Sequence, residues 1–392
     1  MSGSDDPPSP PSVSRAVGGK LAGVLFVFAL LGFVIESELT QYVQTTLGFR
    51  QPYFVFYCVH SSFFVLFPLH YLYLITVAKE SPAALKAGLR EALRKHVPRM
   101  SLDSPTEFPT WGFSRLVILL TLFVSMPALL WFVAVTLAPL SDVTALWNTN
   151  AFFAYVLTVR LFGLPWEPRR LAAVLLATAG AAAVVYGSSS ANPKAHARAV
   201  AAPLVGDILT LVASILYGIY QVGYKAYAAL PTDPHELDAG PAGSSYEYEP
   251  LTAGDAEGAK AESTYPPPFG LYANFLTTCI GACTCVLLAV PFPVLHVLGF
   301  EKFRLPADII TTLTIAGICL SGVVFNAGLM ILLGLWGPVV VSVGNLLTIV
   351  LVFLYDIVFG RAVEAVTAWS LLGSGAIVAA FGILAFDMAQ TR

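Results

Sequence analysis

The sequence predicts an all-α integral membrane protein of ten transmembrane helices, arranged as two inverted five-helix repeats with both termini in the cytosol. Three observations lead there: too little charge to cover a water-facing surface, ten apolar runs of spanning length, and a second half that repeats the first. Hydrophobic residues make up 57% of the 392 positions, and Asp, Glu, Lys and Arg only 11%. A soluble domain carries about 25% charge, so the outer surface of this chain is expected to face lipid. The net charge of -3 argues against a nucleic-acid partner held by bulk electrostatics.

A spanning helix needs about 20 mostly apolar residues. The tail 1–19 is Ser/Pro-rich, carries Asp5-Asp6 and lacks the basic start of a signal peptide. It is expected to be a disordered cytosolic tail ahead of an uncleaved first helix. Apolar runs follow at 20–42, 52–77, 113–136, 139–161 and 168–188, then at 203–228, 268–298, 308–335, 337–360 and 367–388. Breaks such as Ala138-Pro139 and Gly337-Pro338 separate neighbouring runs. The seventh run is over-long and carries Pro291 and Pro293, which should end or kink it.

With alternating spans and a cytosolic N-terminus, most of the 21 Lys and Arg residues fall on the cytosolic side, as the positive-inside rule requires. Two cytosolic connections are long. The basic loop 78–112 places Leu85, Leu89 and Leu93 at helical spacing beside Lys86, Arg90 and Arg94. It predicts either an amphipathic helix lying on the membrane surface or a solvated linker helix. In the loop 230–267, Asp233, Glu236, Asp238, Glu247, Glu249, Asp255, Glu257 and Glu262 face only Lys260. That composition predicts disorder. Within it, Tyr248-Glu249-Pro250-Leu251 fits a tyrosine-based signal for sorting machinery, a pattern that also arises by chance. The five cysteines, Cys58, Cys279, Cys283, Cys285 and Cys319, lie in apolar runs without zinc-ligand spacing, so they are expected to be small buried hydrophobes and no metal is expected.

Sliding the chain against itself aligns 145–167 with 342–364 without a gap. Asn148 falls on Asn345, Gly163 on Gly360 and Glu167 on Glu364. With two residues of slippage, Gly180 and Gly187 match Gly375 and Gly382, while Pro139 and Pro338 open the equivalent helices. The chain thus divides into repeats at 20–189 and 203–388. An odd number of spans in each repeat forces opposite insertion, the antisymmetry used by many secondary transporters.

These residues carry a resemblance. The run from Pro139 to Val156, with Leu146-Trp147-Asn148-Thr149-Asn150 at its centre, resembles the fourth helix of drug/metabolite transporters of the EamA type. Further matches are Gln51-Pro-Tyr-Phe, Phe67-Pro-Leu-His-Tyr, the run from Ala213 to Lys225, and Val341-Ser-Val-Gly-Asn-Leu-Leu-Thr. The branch it resembles most is the thiamine-transporter-like group of solute carrier family 35, subfamily F. The resemblance covers about 20–388 and implies ten helices, cytosolic termini and a central cavity that carries a solute. The 230–267 loop departs from the pattern.

An ionisable residue at membrane depth costs about 2.5–3.5 kcal/mol on insertion scales, so each needs a reason. Glu36 lies well inside the first run and is either a proton or cation ligand in the cavity or a headgroup-layer residue. Tyr217, Tyr220, Gln221 and Tyr224 share one helical face. Such a stripe suits a ring-shaped or cationic solute, or else forms an interfacial tyrosine belt. Trp147, Asn148 and Asn150 sit mid-membrane in the fourth run, Asn345 at the same depth in the ninth, and Asn326 in the eighth. Their alternatives are solute contact and interhelical hydrogen bonding. Lys225 is expected to snorkel to the cytosolic surface, and His60 and His70 to be packed or interfacial. The Gly/Ala-rich fifth and tenth helices suggest close packing or a homodimer face.

The function class that fits is a secondary transporter of a small organic solute, thiamine-like or otherwise cationic or neutral, with proton coupling through Glu36 as an option. The alternative is a nucleotide-sugar or sugar-phosphate exchanger of the same superfamily; less favoured is a structural or receptor-like membrane protein. An enzyme is not expected. Tyr355-Asp356 has no GxGD partner, and neither HExxH nor a P-loop occurs, so no cofactor is expected either. The compartment is expected to be an endomembrane (Golgi or vacuole) or the plasma membrane.

Overall fold

The computed structural model describes residues 13–97, 103, 108–138, 140–191, 202–230, 266–358 and 366–390. The acidic loop with its Tyr248 motif, the repeat partners Gly360 and Glu364, and Pro139 lie outside them. Among the described residues the chain is helical, with no strand. In chain order the elements are α1 (Val13–Thr45), α2 (Pro52–Ser62), a 3₁₀ turn (Phe63–Val65), α3 (Leu66–Thr76), α4 (Pro82–His96), α5 (Thr110–Leu137), α6 (Leu140–Trp147) and α7 (Asn150–Leu161). Then come α8 (Pro168–Ala191), α9 (Pro203–Tyr227), α10 (Leu271–Leu287), α11 (Pro291–Val297), α12 (Ile309–Asn345), α13 (Leu347–Val358) and α14 (Ala368–Gln390).

Among the described residues, eight stretches are long and apolar enough to cross a membrane, and this is an all-α, multi-pass membrane architecture. Within the described residues the apolar runs of the sequence are largely helical, but they map unevenly. The fourth is broken between α6 and α7, so neither piece alone has spanning length. The eighth and ninth run together as Ile309–Tyr355, bent at Gly337 where φ is 80°. The seventh stops at Leu287, and Pro291 opens a separate short helix, as a proline without an N–H requires.

Both faces of the long helices are apolar, which is the signature of a lipid-exposed bundle. On α1, Phe26, Ala29, Leu30 and Val34 point inward while Val24, Val27, Phe28, Leu31 and Ile35 are exposed. α1 packs along α12, α5 along α9, and α8 along α14; α2 meets α12, and α10 meets both α3 and α5. Small residues set the tightest crossing: a Cβ on Gly180 would stand 2.7 Å from the Gly373 carbonyl, and a Cβ on Gly373 would collide with the Gly180 carbonyl. The Gly/Ala stripes of the fifth and tenth helices thus serve packing within the chain. Gly375 and Gly382 have nothing within 4 Å of a built Cβ.

α4 turns its apolar side neither to lipid nor to solvent. Leu85, Leu89, Ala92 and Leu93 are buried, and α4 packs on α10. Its apolar side is consumed by the bundle, which leaves Lys86, Arg90 and Arg94 exposed.

Candidate functional site

The polar aromatic stripe of α9 forms a ladder. The Trp147 ring stacks on Tyr217 at 5.1 Å and 28°. Tyr217 follows onto Tyr220 at 6.0 Å and 25°, and Tyr220 onto Tyr224 at 6.5 Å. These spacings suit offset aromatic pairs, and they arise because residues three and four apart on α9 share a face. Tyr220 and Tyr224 are buried and Tyr217 is half-buried, so the ladder opens at its Trp147–Tyr217 end. The Tyr220 hydroxyl donates to Met330 Sδ of α12 at 3.0 Å.

Gln221 is fully buried beside the ladder. Ser342 Oγ lies 2.6 Å from Gln221 Oε1 and 2.6 Å from the Pro338 carbonyl. A hydroxyl has one proton, so when Ser342 donates to Pro338 the Gln221 amide turns to donate to Ser342. In the orientation described, Gln221 Nε2 is the buried atom without a protein partner; in the turned one it is the oxygen. Either way the amide presents one unpaired polar atom beside stacked rings. The arrangement can hold a planar or cationic solute by its face and fix it with one hydrogen bond.

The asparagines mark two helix breaks. After α6 ends at Trp147, the Thr149 N–H donates to the Leu146 carbonyl and the Phe152 N–H to the Thr149 carbonyl. After α12 ends at Asn345, the Leu346 N–H donates to Val343 and the Ile349 N–H to Leu346. These are the same tight i to i+3 bonds at the positions the sequence repeat pairs. Asn148 Nδ2 donates to the Thr144 carbonyl at 2.8 Å and Asn150 Nδ2 to the Trp147 carbonyl at 2.8 Å. Both amides thus support the break locally, and among the described residues no interhelical bond from them is found. Asn345 closes α12 and is half-buried. Thr149 and Ser214 hydroxyls, 2.9 Å apart, tie the first break to α9.

Glu36 stands apart from the ladder. Its carboxylate lies against Gly322 of α12, 3.3 Å from where a Cβ would be, and its Oε2 is buried without a hydrogen-bond partner. Asn326 Nδ2 donates to the Gly322 carbonyl at 2.9 Å, so Glu36 and Asn326 border the same turn of α12. Gly322 and Met330 are eight residues apart, about 12 Å along the α12 axis. The acid and the aromatic ladder therefore occupy two levels of one helix.

Lys225 departs from the expected snorkel. Pro338 has no N–H, which removes the usual helical partner of the Gly334 carbonyl; Lys225 Nζ donates to that carbonyl at 2.7 Å. Arg160 is exposed at the end of α7, over Trp166. His60 packs between Phe56 and Phe63, and His70 Nδ1 accepts from Asn274. Among the described residues no group of three His, Cys, Asp or Glu is placed to hold a metal, and all five cysteines are unbridged.

At the far end of the bundle a clamp escaped the sequence reading. Glu301 accepts from the Tyr53 and Phe54 N–H groups at 2.9 and 3.0 Å. Gln51 exchanges two 2.9 Å bonds with the Arg304 backbone. Phe49, Tyr53, Phe54, Tyr57, Phe292 and Phe303 pack edge-to-face around this clamp.

No family model matches the sequence, and no curated protein matches it. Among solved structures, one described only as a crystal structure of a protein superposes on 95% of this chain and 99% of that chain, with a TM-score of 0.56 and 14% identity. A likeness at that identity speaks for a shared fold alone.

Proposed function

We propose that the chain is a secondary transporter that carries a small organic solute across a membrane by alternating access, on ten spans in two inverted halves. The observation that carries the reading is the pair of helix breaks, at Asn148–Thr149 and Asn345–Leu346, which share two corresponding backbone bonds. Broken helices in corresponding positions of two repeats are the best pointer to a transporter site. The packing supports the same reading. Exchanging each span with the one five later converts the α1–α12 contact into α9–α5 and the α2–α12 contact into α10–α5, while α8–α14 and α3–α10 map onto themselves.

The solute expected is planar, and neutral or cationic. The ladder offers aromatic faces, and Lys225, in the last turn of α9, donates to the Gly334 carbonyl. The resemblance to drug/metabolite transporters, and to their thiamine-transporter-like branch, agrees with such a solute, and Glu36 is the candidate coupling acid. The charge bias keeps both termini cytosolic in this reading.

Uptake of labelled thiamine, organic amines and nucleotide sugars into proteoliposomes tests it. Accumulation or exchange of a planar amine supports the reading. Exchange confined to nucleotide sugars would replace it by the anion-exchanger alternative, and no movement of any solute would overturn the transporter class.

A further inference from the structure

We propose that the groove between α4 and Phe108 binds the headgroup of an anionic phospholipid that carries more than one phosphate. The groove encloses about 490 Å³ and is lined by Lys86, Ala87, Arg90, Glu91, Arg94 and Phe108. Lys86, Arg90 and Arg94 are exposed and stand four residues apart, so they form one ridge on the helix. Among the described lining residues the one acid is already paired, since Glu91 lies 3.3 Å from Arg94 and 3.4 Å from Lys95.

The ridge is held in place. Leu85, Leu89 and Leu93 anchor the opposite side of α4 in the bundle, and Ser81 caps its first turn. Binding therefore needs no ordering of the helix, which is the usual cost of recruiting a flexible basic segment. Lys86 and Arg94 are about 12 Å apart along the axis. One phosphodiester cannot reach both ends, whereas a headgroup with additional phosphomonoesters can bridge neighbouring cations.

The source of the phosphates is the membrane rather than the cytosol. α4 joins two membrane-spanning stretches, Pro52–Thr76 and Thr110–Trp131. Trp111, 58% exposed at the start of the second, suits the headgroup layer that tryptophan prefers. Basic clusters next to a span on the cytosolic side attract anionic lipid, and the sequence charge bias places this loop there. The inference does not depend on transport.

The test uses the full chain in phosphatidylcholine nanodiscs containing phosphatidylinositol bisphosphate, or phosphatidylserine at equal charge, with bound lipid measured by native mass spectrometry after extraction. Wild type should retain the bisphosphate lipid preferentially. The double variant Lys86→Gln/Arg90→Gln, both exposed positions, should lose about five-fold in affinity per cation, while Lys302→Gln in the Glu301 loop leaves binding unchanged. Undiminished retention in the double variant would overturn the site. Equal retention of phosphatidylserine would overturn the multiple-phosphate requirement, and displacement by the free inositol phosphate at equal concentration would overturn the lipid source.

Discussion

Lys225 shows how one side chain depends on a residue far away in sequence. Its ammonium completes a carbonyl that Pro338 leaves without a helical partner. Lys225→Met keeps the stem but removes this charge-assisted donor from the carbonyl, at a cost of about 1–3 kcal/mol. A lower melting temperature in detergent, recovered by Lys225→Arg, is the expected result; an unchanged one would show that the bond is idle. In the ladder, Tyr217→Ala should raise the solute KM by about ten-fold whereas Tyr217→Phe, which keeps the ring over Trp147, should leave it near wild type. Equal losses would remove stacking from the account. Glu36→Gln should abolish proton-dependent uptake with the protein still in the membrane; pH-dependent transport surviving in that variant would remove Glu36 from the coupling. The stripe Tyr217, Tyr220, Gln221 and Tyr224 was legible because it obeys helical spacing within one element. Ser342 and Met330 were not, because which residues face that stripe is decided by how α12 packs, and no local spacing encodes it.

At the scale of elements, apolar run length located the long helices of the described residues, and Pro291 and Gly337-Pro338 located interruptions. The break at Asn148 had no Gly or Pro to announce it, and the one at Asn345 only Gly344. They arise from hydroxyls and amides turning onto nearby carbonyls, which competes with helical bonding and reads in sequence only as a polar residue in an apolar run. α4 also departed from expectation, because amphipathicity gives a helix an apolar face but not the surface that covers it. Its last turn carries His96, where burial, with Lys95 adjacent, lowers the pKa from the usual value. Since the unfolded segment binds the proton more readily, docking of α4 is fully favoured above the ordinary histidine range and weakens as pH falls through it. The protection of amides 82–96 against hydrogen exchange, taken relative to their intrinsic rates, should therefore fall on acidification from neutral pH, and His96→Gln should flatten that dependence. The Glu301 clamp likewise joins segments far apart in the chain. Glu301→Ala would orphan two N–H groups at the start of α2, and its expected signature is greater labelling of a cysteine introduced at the far end. No change in labelling would mean that the aromatic cluster alone holds that end shut.

For the whole molecule, the proposed antisymmetry predicts something that no single helix does. In an inverted repeat, the contact between α1 and α12 in one state takes the form of the α5–α9 contact in the other, so wedging either interface must bias the equilibrium in opposite directions. Both interfaces contain a glycine set tightly against an alanine. A Cβ on Gly328 would stand 2.7 Å from the Ala29 Cβ, and one on Gly206 would stand 2.5 Å from the Ala138 Cβ. Real Cβ atoms do not approach so closely, so Gly328→Ala and Gly206→Ala should each force their interface apart at a cost of about 1–3 kcal/mol. That is enough to move a balanced two-state population about five- to a hundred-fold. Cysteines placed at the two mouths and modified by impermeant reagents from either side would report the populations. One variant should become more reactive from the first side and less from the second, and the other should show the reverse. If both variants shift the same way, the two halves are not mechanical counterparts, and the matched helix breaks are a common fold motif rather than the hinge of an alternating-access cycle.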